Sequence, residues 1–353
     1  MRAFDLIEAR VMIEIKLVPF PFFDRWYRPS FDASCDGDVY LGRDLLTIDG
    51  ERLHRFNNAT RVAMALAALA TLGGAHLRGV SINYNGIEFI LLIIGALLIT
   101  SRIAHHKNRN PRLAATVALL SECLLTPIVT GPFAYIASCY SGSDQTALIA
   151  HFDHWLTFDW VAYNDSLKAP YIVDIIFLFA YGSFDIQYLA LPVLLLVYGY
   201  AGQARLLLNC FICGIIIVIC IAMIVPTVDP LLWYEAISID EHGYTGLARI
   251  DHLLKLRDGS MTEIIVKQLD GIICFPSFHA VAGCLFAAFA VALGSLRFVF
   301  LGLNALMLAV TPVLGGHYLV DVLAGIAIGV GLIAAAQAYT RRRPGADKIL
   351  GLP

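Results

Sequence analysis

The sequence predicts an all-α, polytopic membrane helix bundle, and three observations carry that prediction. First, 58% of the 353 residues are hydrophobic and only 15% are charged, against roughly 25% charged in soluble domains; the mean hydropathy is +0.71. Second, apolar runs recur at about 61–77, 86–101, 112–138, 171–199, 206–227, 272–293, 298–314 and 317–338. Most approach the ~20 residues that a helix needs to cross hydrocarbon, so about eight spans are expected. Third, if the N-terminus lies inside, 19 of the 25 Lys and Arg residues fall on the inner side of these runs, the positive-inside pattern of membrane proteins.

The elements follow in order. Residues 1–58 are polar and mixed, and Pro19, Pro21 and Pro29 interrupt any long helix; they are expected to be an N-terminal cytosolic or interfacial segment. Asp5, Glu8, Arg10, Glu14 and Lys16 are not the residues of a secretory signal. Residues 59–110 hold two accessory spans, residues 111–340 a six-helix catalytic core, and residues 341–353 a basic cytosolic tail. The run at 171–199 contains Asp174, Gly182, Asp185 and Pro192, which favour a kinked or tilted span. Two long segments face outward. The first, 139–170, carries Trp155 and Trp160 and reads as an interfacial amphipathic helix. The second, 228–271, includes a helical stretch from Asp251 that stops at Gly259. Gly325 and Gly329 are spaced for close helix packing.

The composition also excludes some functions. There is no basic patch interleaved with aromatic residues, so nucleic acid is not an expected partner. The cysteines are scattered; Cys210 and Cys213 have CxxC spacing but sit in mid-span without further ligands, unlike a zinc site.

Two short stretches carry the chemistry: Phe275-Pro276-Ser277-Phe278-His279, and Gly315-Gly316-His317-Tyr318-Leu319-Val320-Asp321. Three successive apolar runs return both to one side of a membrane. His317 and Asp321 are four residues apart, on one helix face. A carboxylate there can accept the imidazole N–H and fix the tautomer, leaving the other ring nitrogen as a nucleophile. His279, near the start of another run, can protonate a leaving oxygen. The helix beginning near Ser277 offers backbone N–H groups to an anion. A histidine at a helix end is more often a plain interfacial residue. Ionisable groups at the ends of separate spans, each beside a Pro-Ser or Gly-Gly turn, point instead to function. Together they suit phosphoryl transfer through a phosphohistidine. No compact ligand cluster stands beside the histidines in the sequence, so no metal and no cofactor is expected.

These stretches resemble two motifs of the type-2 phosphatidic acid phosphatases: FPSFHA the PSGH-type motif, and GGHYLVD the H-x3-D motif. The resemblance spans about residues 112–338 and is strongest from Gly271 to Gly329. It implies that His317 is the nucleophile, Asp321 its orienting group and His279 the general acid, without a metal. The chain departs from the common pattern in three places. The upstream K-x6-RP motif is missing, Thr311 stands where an arginine precedes the nucleophile, and Phe278 replaces the PSGH glycine. These departures resemble the branch of inositol phosphorylceramide synthases and their bacterial homologues, which transfer phospho-headgroups between lipids. The substrate phosphate still needs a cation. Among the outer basic residues Arg257 is the first candidate, ahead of Lys267 and Lys168, with Ser277 and Phe278 completing the expected phosphate site.

The expected function is that of an integral-membrane lipid phosphate phosphatase, placed in a bacterial inner membrane with its site facing the periplasm. Its expected partners are the bilayer and a lipid phosphate or phospholipid substrate. One alternative is a phospho-headgroup transferase of the inositol phosphorylceramide synthase kind. Another is a non-catalytic lipid transporter or binding protein, although transporters more often show repeated halves and broken helices in mid-membrane.

Overall fold

The computed structural model describes residues 48–106, 110–168, 170–235 and 246–341. Most of the expected N-terminal segment and nearly all of the basic tail lie outside the described residues. Asp49 starts the first helix by accepting the N–H groups of Glu51 and Arg52 on its side chain, so α1 (Gly50–Arg78) takes in the last residues of the segment expected to end at 58. It is followed by β1 (Ser81–Asn83), α2 (Glu88–His106) and α3 (Pro111–Ser138). The segment at 139–170, expected to form one interfacial helix, folds as two short helices, α4 (Thr146–Trp155) and α5 (Trp160–Ser166). Next come α6 (Tyr171–Val197), α7 (Ala201–Ile224), the single turn α8 (Pro230–Trp233) and α9 (Gly246–Asp258). As expected, α9 gives way to a glycine, Gly259, with a left-handed φ of 78°. The short strand β2 (Glu263–Ile265) precedes the three hydrophobic helices α10 (Phe278–Ala290), α11 (Leu296–Leu314) and α12 (Leu319–Thr340).

Among the described residues, seven helices are long and apolar enough to cross a membrane: α1, α2, α3, α6, α7, α11 and α12. This is an integral-membrane, all-α protein. The eighth expected span, 272–293, holds a shorter apolar helix, Phe278–Leu293, below the length of the other seven. Helix does not begin until Phe278, because Ser277 adopts an extended conformation and caps α10 by accepting the Ala280 N–H. A 3-10 turn, Val291–Leu293, then runs into Gly294 at φ 62°. Pro276 precedes the cap, joined to Phe275 by a cis peptide bond. The run at 171–199 forms one helix that carries Pro192 within it. The core lies among α6, α7, α10 and α12, with Leu191, Leu206, Val281 and Phe286 fully or almost fully buried.

Both ends of the bundle are tied. At one end the Asp49 N–H donates to the Thr340 carbonyl at 2.8 Å, and Ile48 bridges Arg341. At the other, β1 pairs in parallel with β2, and Arg78 donates to the Cys139 carbonyl. The segments assigned to each side by charge counting therefore gather at common ends of the bundle.

The contact that places the site is between α10 and α12. Gly325 and Gly329 line the α12 face against α10. A Cβ at Gly325 would meet the Ala280 Cβ at 2.7 Å, and one at Gly329 the Cys284 Cβ at 2.8 Å. With the backbones this close, the Ser277 N–H donates to the Asp321 carbonyl at 3.0 Å. The N-terminus of α12 is also held from outside. Asp153 of α4, fully buried, accepts the N–H groups of Leu319 (2.9 Å) and Val320 (2.8 Å), a carboxylate at the positive end of a helix.

Two predictions arise here. Gly325→Val should misfold the protein or lower its stability by about 1–3 kcal/mol, the usual cost of overpacking. Gly331→Val, with nothing within 4 Å of its Cβ, should be tolerated; melting of both in detergent checks this. For Asp153, burial lifts the carboxyl to about 6, and the two N–H donors oppose the shift. A carboxyl that binds its proton more tightly when folded favours folding at low pH, and that contribution falls as pH rises from about 4 to about 6. Asp153→Asn removes the titration, so its melting temperature should fall less across that window than that of the wild type.

Candidate active site

The two motif histidines meet at the α10–α12 contact. His317 is 3% and Asp321 0% exposed. The His317 Nδ1 lies 3.4 Å from Asp321 Oδ2, an ion-pair distance without hydrogen-bond alignment. Asp321 Oδ2 also accepts the Tyr318 N–H at 2.8 Å. The carboxylate is thus fixed by the backbone of its own helix and turned toward the imidazole. Gly316 makes the turn before His317 at φ 61°, and a Cβ there would collide with the Arg249 guanidinium and the Asp229 carboxylate. Glycine is required at 316 for both reasons.

His279 comes from the first turn of α10. Its ring stacks on Tyr181 of α6 (centroids 4.3 Å apart, planes 13°) and is flanked by Phe184 at 4.5 Å. The Tyr181 hydroxyl is 3.4 Å from its Nδ1. This aromatic slot fixes the ring.

Arg249 is the charged group that the sequence reading did not single out. It is 9% exposed; its Nε donates to Asp229 Oδ2 at 2.7 Å, and Nη2 lies 2.6 Å from the same oxygen. Burial pushes the Asp229 carboxyl up, and the Arg249 charge pulls it back. The arginine remains ionised, since Asp229 more than offsets its own burial. A sequence signal for it did exist. Arg249, Leu253 and Leu256 recur at helical spacing, so a charge on that apolar stripe of α9 had to be buried and paired.

The other expected cations lie elsewhere. Arg257 donates to the Thr227 carbonyl at 3.1 Å and lines a small cleft with Cys274 and Phe275. Lys168 pairs with Asp165 on the surface, and the Lys267 side chain lies against Gly86. Ser277 is buried and serves as the α10 cap, while the Phe278 ring packs against Phe211 in the core at 4.9 Å.

The expectation that no ligand cluster stands beside the histidines is corrected as well. The Cys274 thiol donates to Asp321 Oδ2 and to the Gly316 carbonyl, both at 3.2 Å. One ligand atom each from Cys274, His317 and Asp321 lies within 4.8 Å of the others, and all three residues are buried. Forty-three residues separate Cys274 from His317, which is why no local spacing announced the cluster.

Chemically, the site combines an imidazole paired with a carboxylate, a second imidazole, a buried guanidinium and a helix start. His317 Nδ1, Asp321 Oδ1 and Arg249 Nη2 are all buried without an aligned hydrogen bond, although Nδ1 and Nη2 each lie at ion-pair distance from a carboxylate. Unsatisfied buried polar atoms are costly and rare, and concentrate where chemistry or binding occurs. Such a set can take up an anionic group, attack it with an imidazole nitrogen and protonate what leaves.

No curated protein and no solved structure matches the chain. The sequence model described as the PAP2 superfamily matches residues 147–335, from α4 into α12, leaving α1–α3 outside the matched region. With more than half of the chain matched, and both histidine motifs within the match, the protein belongs to the PAP2 superfamily.

Proposed function

We propose that the protein is a lipid phosphate phosphatase that works through a phosphohistidine on His317. The observation that carries this reading is the burial of His317, Asp321 and Arg249, each with a polar atom lacking an aligned hydrogen bond, near the Tyr181 hydroxyl that touches His279. Asp321 faces Nδ1 of His317, so Nε2 is the attacking nitrogen. Its lone pair forms a bond to phosphorus while the bond to the leaving oxygen breaks, and that oxygen takes its proton from His279. Water then attacks phosphorus, gives its proton to His279, and the P–N bond breaks with its electrons returning to Nε2. Arg249, together with the N–H groups at the start of α10, neutralises the phosphate in a low-dielectric setting where each donor counts for more than in water. We assign this role to Arg249 ahead of Arg257, which borders the headgroup from beyond Cys274 and Phe275.

A second reading is a phospho-headgroup transferase of the inositol phosphorylceramide synthase type, in which a lipid alcohol replaces water. It is favoured by the burial of His317 and by the replacement of the motif glycine with Phe278, whose ring joins the core. Both features restrict water. The proposed setting is the outer face of a bacterial inner membrane, with the bilayer supplying the substrate.

His317→Ala should abolish turnover and the trapping of labelled phosphate on the protein, with melting unchanged in kind. Asp321→Asn should lower kcat by about 10²–10⁴-fold through loss of tautomer control, and Arg249→Gln by about 10²–10³-fold. Wild-type rates in His317→Ala would overturn the mechanism. Purified protein given a panel of lipid phosphates and phospholipids should release free phosphate; a new phospholipid without free phosphate would select the transferase. For sidedness, a membrane-impermeant thiol reagent on otherwise cysteine-free protein should label Ser260→Cys in intact cells and Arg55→Cys only after lysis. The reverse pattern would place the reaction in the cytosolic leaflet.

A further inference from the structure

Nothing in phosphoryl transfer calls for a thiol beside the nucleophile, yet Cys274 is buried there. A serine would serve equally as a donor to Asp321. The Cys274 Sγ is 3.2 Å from Asp321 Oδ2, the same oxygen is 3.4 Å from His317 Nδ1, and the three atoms fit within 4.8 Å. Zinc bonds of about 2.0–2.3 Å in tetrahedral array set ligand–ligand edges of roughly 3.3–3.6 Å. Two edges of the triangle therefore lie within or close to that range, and the third is no longer than 4.8 Å. The donor set of thiolate, imidazole and carboxylate is that of a borderline-soft cation and unsuited to magnesium or calcium, which prefer oxygen. Two of the three residues also present buried atoms with no hydrogen-bond partner, His317 Nδ1 and Asp321 Oδ1.

We propose that Cys274, His317 and Asp321 form a binding site for a zinc-class divalent cation, and that its occupancy inhibits the enzyme. The metal replaces the Sγ–H proton, which leaves to solvent; the imidazole proton moves from Nδ1 to Nε2, and the Nδ1 and Asp321 Oδ2 lone pairs bind the metal. His317 is then a ligand and no longer an imidazole tuned by a carboxylate, and a dication sits where the nucleophile must develop positive charge. The inhibitory half rests on His317 being the nucleophile; the binding half does not. Cys274 sits between the two motifs' backbones, so the device is built into the site itself.

The test uses the full-length protein in detergent, with cobalt(II) as a spectroscopic probe for zinc. Cobalt should give a thiolate-to-metal charge-transfer band in the near ultraviolet and the intense visible bands of a four-coordinate ion. Zinc should displace both and magnesium neither. Cys274→Ala should lose the thiolate band, and His317→Gln should keep it while its visible bands shift. Using both variants guards against one failing to fold. Zinc should suppress turnover, a chelator should restore it, and Cys274→Ser should need at least tenfold more zinc for the same fractional inhibition. A thiolate band that is absent from the wild type, or that survives in Cys274→Ala, overturns the site. Cobalt bound through Cys274 with turnover undiminished by zinc overturns the inhibition, and with it the assignment of His317 as nucleophile.

Discussion

The close approach of α10 to α12 is the contact on which the rest depends. Two glycines one turn apart remove the side chains that would hold the helices at ordinary distance. The gain is positional as well as energetic. The Ser277 N–H reaches the Asp321 carbonyl, which locks the start of one helix to the first turn of the other. One helix carries His279 and the other carries Asp321 just after His317. In hydrocarbon there is no hydrophobic force between helices, so such packing and the hydrogen bonds it permits must supply the association. The geometry of the candidate site and the association of the helices rest on the same contact.

Around that contact the protein manages buried charge with few groups and short reach. Arg249 is held by Asp229, the α12 N-terminus by Asp153, and Asp321 by the Tyr318 N–H and the Cys274 thiol. Each pairing reduces the cost of burial without fully satisfying the group. What is left over, on His317, Asp321 and Arg249, is the capacity to bind and react. A fully satisfied network would be more stable and inert. The Tyr181 and Phe184 slot around His279 adds stiffness without charge.

The helices outside the superfamily match act as a frame. At one end of the bundle Glu122 of α3 pairs with Arg61 of α1 and Arg205 of α7, tying an accessory helix to the core. At the other end the β1–β2 pairing ties the segment after α1 to the segment that leads into α10. That segment contains Cys274, so the accessory helices help to set the floor of the site while leaving most of α2 exposed.

Composition and periodicity alone determined the membrane class, the positions of most of the helices, the two motifs and their return to one side. The reason is physical. Backbone polar groups in hydrocarbon must be satisfied within helices, so apolar length translates directly into spans, and an i,i+4 pair such as His317 and Asp321 is local by geometry. The helix in the run at 272–293 is shorter than its apolar length because apolarity continues through 272–277 while Pro276 and the Ser277 cap delay the helix. The tertiary structure alone decided which arginine faces the histidines, that Asp153 holds α12, and that Cys274 touches Asp321. Each of these is a meeting of residues about 30 to 170 positions apart, in a chain whose loops close at small entropic cost. Only packing can bring such residues together, and one of them, Arg249, differed from its basic neighbours solely in the helix face it occupied.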